Sequence, residues 1–210
     1  MKKILIVALC ILVSFSVSAQ KADKDGWIKL FNGKSFKGWT INENPDSFSI
    51  SDGVIKIDGP RAHMFYTGKV ENHDFKNFEL KMQIKTMPGA NSGVFIHTAY
   101  QEGGWPEKGY EIQVNQSHGD WRKTGSVYSF KDVRDTYVSD EEWYTKHIIV
   151  NGEQVTVKVN GEVVNEYTES KDREAIGDSP KKLSSGTIAL QAHDPNSVIY
   201  YKDIMIKPLP

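Results

Sequence analysis

The segment Phe78-Glu79-Leu80-Lys81-Met82-Gln83-Ile84-Lys85 alternates apolar and polar side chains without a break. Successive side chains of an extended strand point to opposite faces, so this period of two buries Phe78, Leu80, Met82 and Ile84 and leaves the charged set in water. The same period recurs from Val94 to Thr98, Tyr110 to Asn115, Val155 to Asn160, Ile188 to His193 and Val198 to Lys207. Helical spacing is scarce. The charged stretch from Ser170 to Lys182, closed by Pro180, is the one candidate for a short helix or irregular loop. Asn-Gly or Asp-Gly at 32/33, 52/53, 151/152 and 160/161 offers the positive φ that tight hairpins need. Many short strands joined by such turns predict an all-β chain of two stacked antiparallel sheets rather than βαβ units.

The N-terminus sets an expectation about compartment. Met1-Lys2-Lys3 is positive, Ile4 to Val17 is nearly all apolar, and Val17-Ser18-Ala19 has the small residues of a cleavage site. Residues 1–19 are therefore read as a signal peptide cleaved after Ala19, giving a secreted or periplasmic protein. The apolar run, at roughly 14 residues, falls short of the ~20 of a spanning helix, so no integral membrane segment is expected after cleavage. A lipid anchor on Cys10 fits less well, because Leu9 is bulky and most of the apolar stretch follows the cysteine. Cys10 is the single cysteine, so its removal leaves no disulfide, thiolate nucleophile or thiolate ligand. Residues 20–210 suit one β-sandwich domain with a sizeable core. Losing Lys2 and Lys3 takes the formal charge from −1 to −3, which gives no support to a nucleic-acid or anionic-membrane surface.

Chemistry is sought on polar strand faces. In Tyr110-Glu111-Ile112-Gln113-Val114-Asn115 the residues Glu111, Gln113 and Asn115 share one face, opposite Ile112 and Val114. In Ile188-Ala189-Leu190-Gln191-Ala192-His193 the residues Gln191 and His193 do the same, and Asn91 to Thr98 is expected to place Phe95 and His97 together. A plain solvated face and a surface or capping histidine are the ordinary alternatives. Pooled on one concave sheet, Glu111, Gln113, His97, Gln191 and His193 would form a polar groove. Sugars need flat apolar surfaces beside directional hydrogen-bonding groups, and Trp105, Trp121, Tyr110 and Tyr128 could supply the former. Trp121 lies in the polar loop Ser117-His118-Gly119-Asp120-Trp121-Arg122-Lys123. The paired-carboxylate pattern Glu-x-Asp-x-x-Glu of retaining endoglucanases is missing, and Glu111-x-Gln113-x-Asn115 keeps one carboxylate with two amides. No Gly-x-Ser-x-Gly, Walker, dinucleotide-binding or His-Glu-x-x-His motif occurs.

Taken together, several stretches resemble the 3-keto-disaccharide hydrolase-like family over nearly the whole chain. They include Gly26-Trp27-Ile28-Lys29-Leu30-Phe31-Asn32-Gly33, Asn91-Ser92-Gly93-Val94-Phe95, Gly109-Tyr110-Glu111-Ile112-Gln113, Lys123-Thr124-Gly125-Ser126-Val127-Tyr128 and Ile188-Ala189-Leu190-Gln191-Ala192-His193. The resemblance implies a concanavalin A-like jelly-roll β-sandwich and cleavage of glycosides already oxidised to a ketone at C3. It carries Glu111, Gln113, Gln191 and His193 onto the family's polar sheet face and Asn91-Ser92-Gly93 beside it. His97 stands where an arginine is frequent, and Asn115 where an aspartate is frequent.

A C3 ketone acidifies the C2 proton, so one base, one acid and an oxyanion stabiliser suffice to eliminate the C1 substituent. On that basis Glu111 and His193 are expected to transfer protons, with acid and base left unassigned, and His97 to meet the keto oxygen or leaving group. Asn91, Gln113, Gln191, Trp121, Lys123 and Tyr128 are expected to bind the carbohydrate or glycoside substrate. No cofactor is required, although a divalent cation held by Glu111 and the histidines is compatible with the chemistry. A noncatalytic carbohydrate-binding module on the same fold is the alternative, and a structural surface protein a third.

Overall fold

The computed structural model describes residues 22–170 and 181–210. The leader expected at 1–19 and nearly all of the charged stretch 170–182 lie outside the described residues. Among the described residues thirteen strands follow one another: β1 (Ile28–Lys29), β2 (Trp39–Ile41), β3 (Phe48–Ser51), β4 (Val54–Ile57), β5 (Ala62–Tyr66), β6 (Phe78–Thr86), β7 (Asn91–Thr98), β8 (Tyr110–Asn115), β9 (Tyr144–Asn151), β10 (Gln154–Val159), β11 (Glu162–Thr168), β12 (Thr187–Ala192) and β13 (Ile199–Pro208). Two short 3-10 turns, Pro45–Ser47 and Val70–His73, are the only helical elements among the described residues. The larger sheet runs β11-β10-β9-β6-β13-β4-β3 with β1 also paired to β13, and the smaller runs β2-β5-β12-β7-β8. Every pairing is antiparallel.

Turn chemistry fixes the hairpins where the sequence places them. At Asp52-Gly53 and Asn160-Gly161 both residues have positive φ, which matches the right-handed twist of the strands they join. The core lies between the sheets. Phe78, Leu80, Met82 and Ile84 of β6 and Ile148 and Val150 of β9 meet Val94, Ile112, Val114 and Leu190 of the smaller sheet.

The two sheets differ in how they are covered. Strand β6 alternates buried and part-exposed residues as its sequence predicts, whereas β5, β7 and β12 are buried at every position. The smaller sheet is thus enclosed on both faces, which erases the period-two signal from its strands. Its outer face carries a second apolar cluster of Phe65, Phe95 and Ala189, separate from the main core. These three are cross-strand neighbours.

One irregularity overturns an expectation. Phe95 pairs with Ala189 but Thr98 pairs with Thr187, so β7 carries an extra residue opposite β12. His97 sits at this bulge with φ of 52°. A bulge changes the phase of the side chains that follow it, and His97 does not share the face of Phe95. Its ring meets Phe78 in the core at 5.7 Å. Its Nε2 lies 2.8 Å from the Lys76 carbonyl, and its Nδ1 accepts from the Ser184 amide at 3.1 Å. With both nitrogens held by backbone, His97 is a core histidine and not part of the polar face.

Candidate active site

The outer face of the smaller sheet brings four expected residues together. Asn91, Gly93 and Phe95 of β7 lie opposite Asn115, Gln113 and Glu111 of β8, and Gln191 of β12 lies opposite His63 of β5. Directly paired residues project to the same side, so pleating alone assembles this row. Gln113 Nε2 donates to Asn91 Oδ1 at 2.7 Å, and Gln191 Nε2 to Glu111 Oε1 at 3.3 Å. The side-chain amide oxygens Gln113 Oε1 and Gln191 Oε1 are buried with no hydrogen-bond partner among the described residues. Gly93 makes room for the carboxylate: a Cβ there would lie 2.3 Å from Glu111 Oε1 and 2.6 Å from its Cγ.

Electrostatics single out Glu111. Burial pushes its carboxyl up to about 7, against the opposing pull of Lys181, the Gln191 hydrogen bond and Lys146. Near neutral pH it is therefore divided between acid and carboxylate. Lys146 approaches from the other side of the sheet. It projects inward from β9, is wholly buried, and donates across the core to the carbonyls of Gln113 and Ile112. Burial lowers its ammonium to about 7, and the field of Glu111 partly offsets that fall.

His193 follows the end of β12, and its Nδ1 lies 2.7 Å from Asp194 Oδ2. Asp194 also accepts from Ser197 Oγ at 2.7 Å and from the Asn196 amide at 2.8 Å. Burial raises this carboxyl, but the hydrogen bonds from His193, Ser197 and Asn196 outweigh it and hold the group below its ordinary value. An ionised Asp194 fixes the proton on Nδ1 and leaves the Nε2 lone pair for chemistry. Trp105 lies 5.2 Å from the His193 ring and 5.8 Å from that of His63, and the Arg61 guanidinium covers it at 5.2 Å. Arg61 is itself clamped by both carboxylate oxygens of Glu43 at 3.0 Å.

The remaining expected residues organise the rim. Asn115 is wholly buried, donates to the carbonyls of Asp120 and Arg122, and accepts from the His118 amide, so it caps a loop. Lys123 turns its ammonium into the same loop, onto the carbonyls of His118 and Asp120. That loop presents Trp121, 42% exposed, between the guanidinium groups of Arg122 and Arg134 at 4.7 and 4.1 Å. Tyr128 donates to Asp120 at 3.2 Å, and its amide binds the Glu111 carbonyl. Tyr110 faces the core instead, with its ring 4.7 Å from Phe130. A separate cleft beyond the end of β8 is lined by Gln116, Ser117, Tyr137 and Asp140, among others. Asp140 there is already bonded to Thr86 and Ser117.

Sequence reading passed over His63, Asp194 and Lys146. Lys146 left a legible trace: it occupies the inward phase of Tyr144-x-Lys146-x-Ile148-x-Val150, where an apolar residue belongs. Asp194 follows His193 directly, and His63 is the one polar residue of Ala62-His63-Met64-Phe65.

The profile of the 3-keto-alpha-glucoside-1,2-lyase-like domain matches residues 26–207. The chain belongs to that family. A Bacteroides thetaiotaomicron protein named 3-keto-disaccharide hydrolase is 40% identical over 80 residues, which are 35% of this chain and 28% of that protein's length. A solved structure of a Parabacteroides distasonis protein, provisionally named a glycosyl hydrolase, is 25% identical with a TM-score of 0.74, covering 89% of this chain and 95% of that one. The Bacillus licheniformis β-glucanase is 11% identical with a TM-score of 0.56, covering 88% and 97%, and is similar in fold alone. This member of the 3-keto-alpha-glucoside-1,2-lyase-like family is a jelly-roll sandwich of two antiparallel sheets. Among its described residues no group of three or more His, Asp or Glu is placed to hold a metal ion. A divalent ion at the groove would draw most of its ligands from substrate and water. No helix among the described residues is long and apolar enough to cross a membrane.

Proposed function

We propose that this protein is exported by its leader and cleaves 3-keto-glycosides by removing the C2 proton and expelling the C1 substituent. The observation that carries this reading is the presence on one sheet face of a half-protonated Glu111, steadied by Gln191, and, two residues beyond Gln191, a His193 oriented by Asp194. His193 Nε2 takes the C2 proton. The C2–H electron pair forms a C2–C3 double bond, and the ketone π pair moves to oxygen as an enolate. As the enolate collapses, the C1–C2 double bond forms and the C1–O pair leaves with the aglycone oxygen, which takes its proton from Glu111. Addition of water across the resulting double bond would complete a net hydrolysis. The partnerless Oε1 atoms of Gln113 and Gln191 suit sugar hydroxyl donors.

A double displacement by two carboxylates fits less well. Asp120, whose field also raises Glu111, is taken up by Arg122 and Tyr128. The test is incubation with a 3-keto-glucoside and with its unoxidised parent, following aglycone release with and without a chelator. Release from the keto compound alone is expected. Release from neither, with glycan binding retained, would leave a carbohydrate-binding module. Export is tested by sequencing the N-terminus of protein recovered outside the cytoplasm, which should begin at Gln20.

A further inference from the structure

His63 is an anomaly on the face just described. It is 0% exposed, and neither ring nitrogen has a hydrogen-bond partner among the described residues. A buried imidazole without partners is destabilising, because its desolvation is uncompensated, so it calls for an explanation. Its position supplies one. His63 pairs directly with Gln191, and its ring lies 5.3 Å from Phe95 and 5.8 Å from Trp105. It therefore points into the groove, under the indole of Trp105.

We propose that His63 donates a hydrogen bond to the C3 keto oxygen of the substrate and to the enolate that forms from it, once the sugar has displaced Trp105. This rests on the 3-keto-glycoside reading. The chemical argument is one of complementarity. A ketone oxygen can only accept, and the other partnerless buried polar atoms on this face, Gln113 Oε1 and Gln191 Oε1, are acceptors too. A neutral imidazole always carries one N–H, so His63 alone among these groups offers a donor. Burial holds the ring neutral, down at about 4, with Glu43 opposing and Arg61 and His193 reinforcing. A neutral donor does not compete with His193 for the C2 proton, and it stabilises negative charge that appears only as the reaction proceeds. Trp105 is 44% exposed and covers His63 from a loop, so displacing it does not require the sheet to move.

The experiment compares wild type, His63→Leu and His63→Gln, the last retaining an N–H donor. Three readouts are taken: kcat and KM on a 3-keto-glucoside, thermal midpoint, and exchange of the C2 proton for deuterium in a 1,5-anhydro-3-keto sugar. That sugar can enolise but has no aglycone on C1 to expel. His63→Leu should lower kcat and exchange by on the order of 10²–10³-fold with the midpoint unchanged or raised, and His63→Gln should recover part of both. Exchange and kcat within about twofold of wild type in His63→Leu overturn the assignment. So does a Gln variant no better than Leu, which would point to packing. Wild type that neither cleaves nor exchanges overturns the functional reading as well.

Discussion

Replacing Glu111 by Gln should remove turnover and stabilise the fold above neutral pH. The carboxyl rises from 4.5 to about 7 in the folded chain, at about 1.4 kcal/mol for each tenfold change in proton affinity. The folded state therefore holds this proton more tightly than the unfolded one. Stability from that preference is complete below pH 4.5 and is lost as pH climbs through about 7, a difference of about 3 kcal/mol once the group is ionised. Gln removes the ionised form while keeping similar bulk. Part of the gain is offset because Glu111 also supports the Lys146 ammonium, which leaves about 2 kcal/mol at pH 8. For a domain of this size that is a rise of about 4–8 °C in melting temperature. Melts followed by circular dichroism at pH 4, 6 and 8 should show the two proteins converging at pH 4 and separating at pH 8. An Gln variant that is less stable at pH 8, or a difference independent of pH, would refute the argument that burial sets the state of Glu111.

Four further outcomes follow from the same site. Because Glu111 must be protonated to serve as the acid, kcat/KM should fall as pH rises through about 7. Lys146→Met removes a positive charge that lowers Glu111 and should move this limb to higher pH, so an unmoved limb removes Lys146 from the tuning. Gly93→Ala places a methyl group 2.3 Å from Glu111 Oε1; the fold should survive by circular dichroism while kcat/KM drops at least tenfold, and full activity would mean the carboxylate need not lie there. Asp194→Asn cannot hold the His193 proton on Nδ1 as a carboxylate does, and should cost about 100-fold or more in kcat with little change in KM. A loss confined to KM would assign Asp194 to binding instead.

The larger sheet was readable because one of its faces meets water. In β6 and β13 the alternation survives, and β6 begins at the residue where the pattern begins. Strand β5 was not legible, since Ala62-His63-Met64-Phe65-Tyr66 is buried on both sides and has no period to detect. His63 was missed for that reason. That Glu111, Gln113 and Gln191 share a face was legible because a carboxylate and amides in one phase of their strands must project together, while Asn91 entered through the family resemblance. His97 was misplaced because a bulge is a property of two paired strands, and no residue within β7 announces the extra residue opposite β12. Lys123 and Asn115 were placed among or beside ligand-facing groups, but a loop's internal carbonyls, invisible to pattern reading, claim both.

The long reach of Lys146 has a mechanical side. Its side chain runs from one layer of the sandwich to backbone carbonyls in the other, acting as a crosstie, alongside the Ser92–Tyr201 hydroxyl pair, between layers that otherwise meet through a mainly apolar core. Shearing the layers would strip those donors from their acceptors in the buried interior, where an unpaired ammonium is costly. The floor beneath Glu111 and Gln113 is thus bolted in place from behind, and adaptation to an incoming molecule falls to the loops overhead.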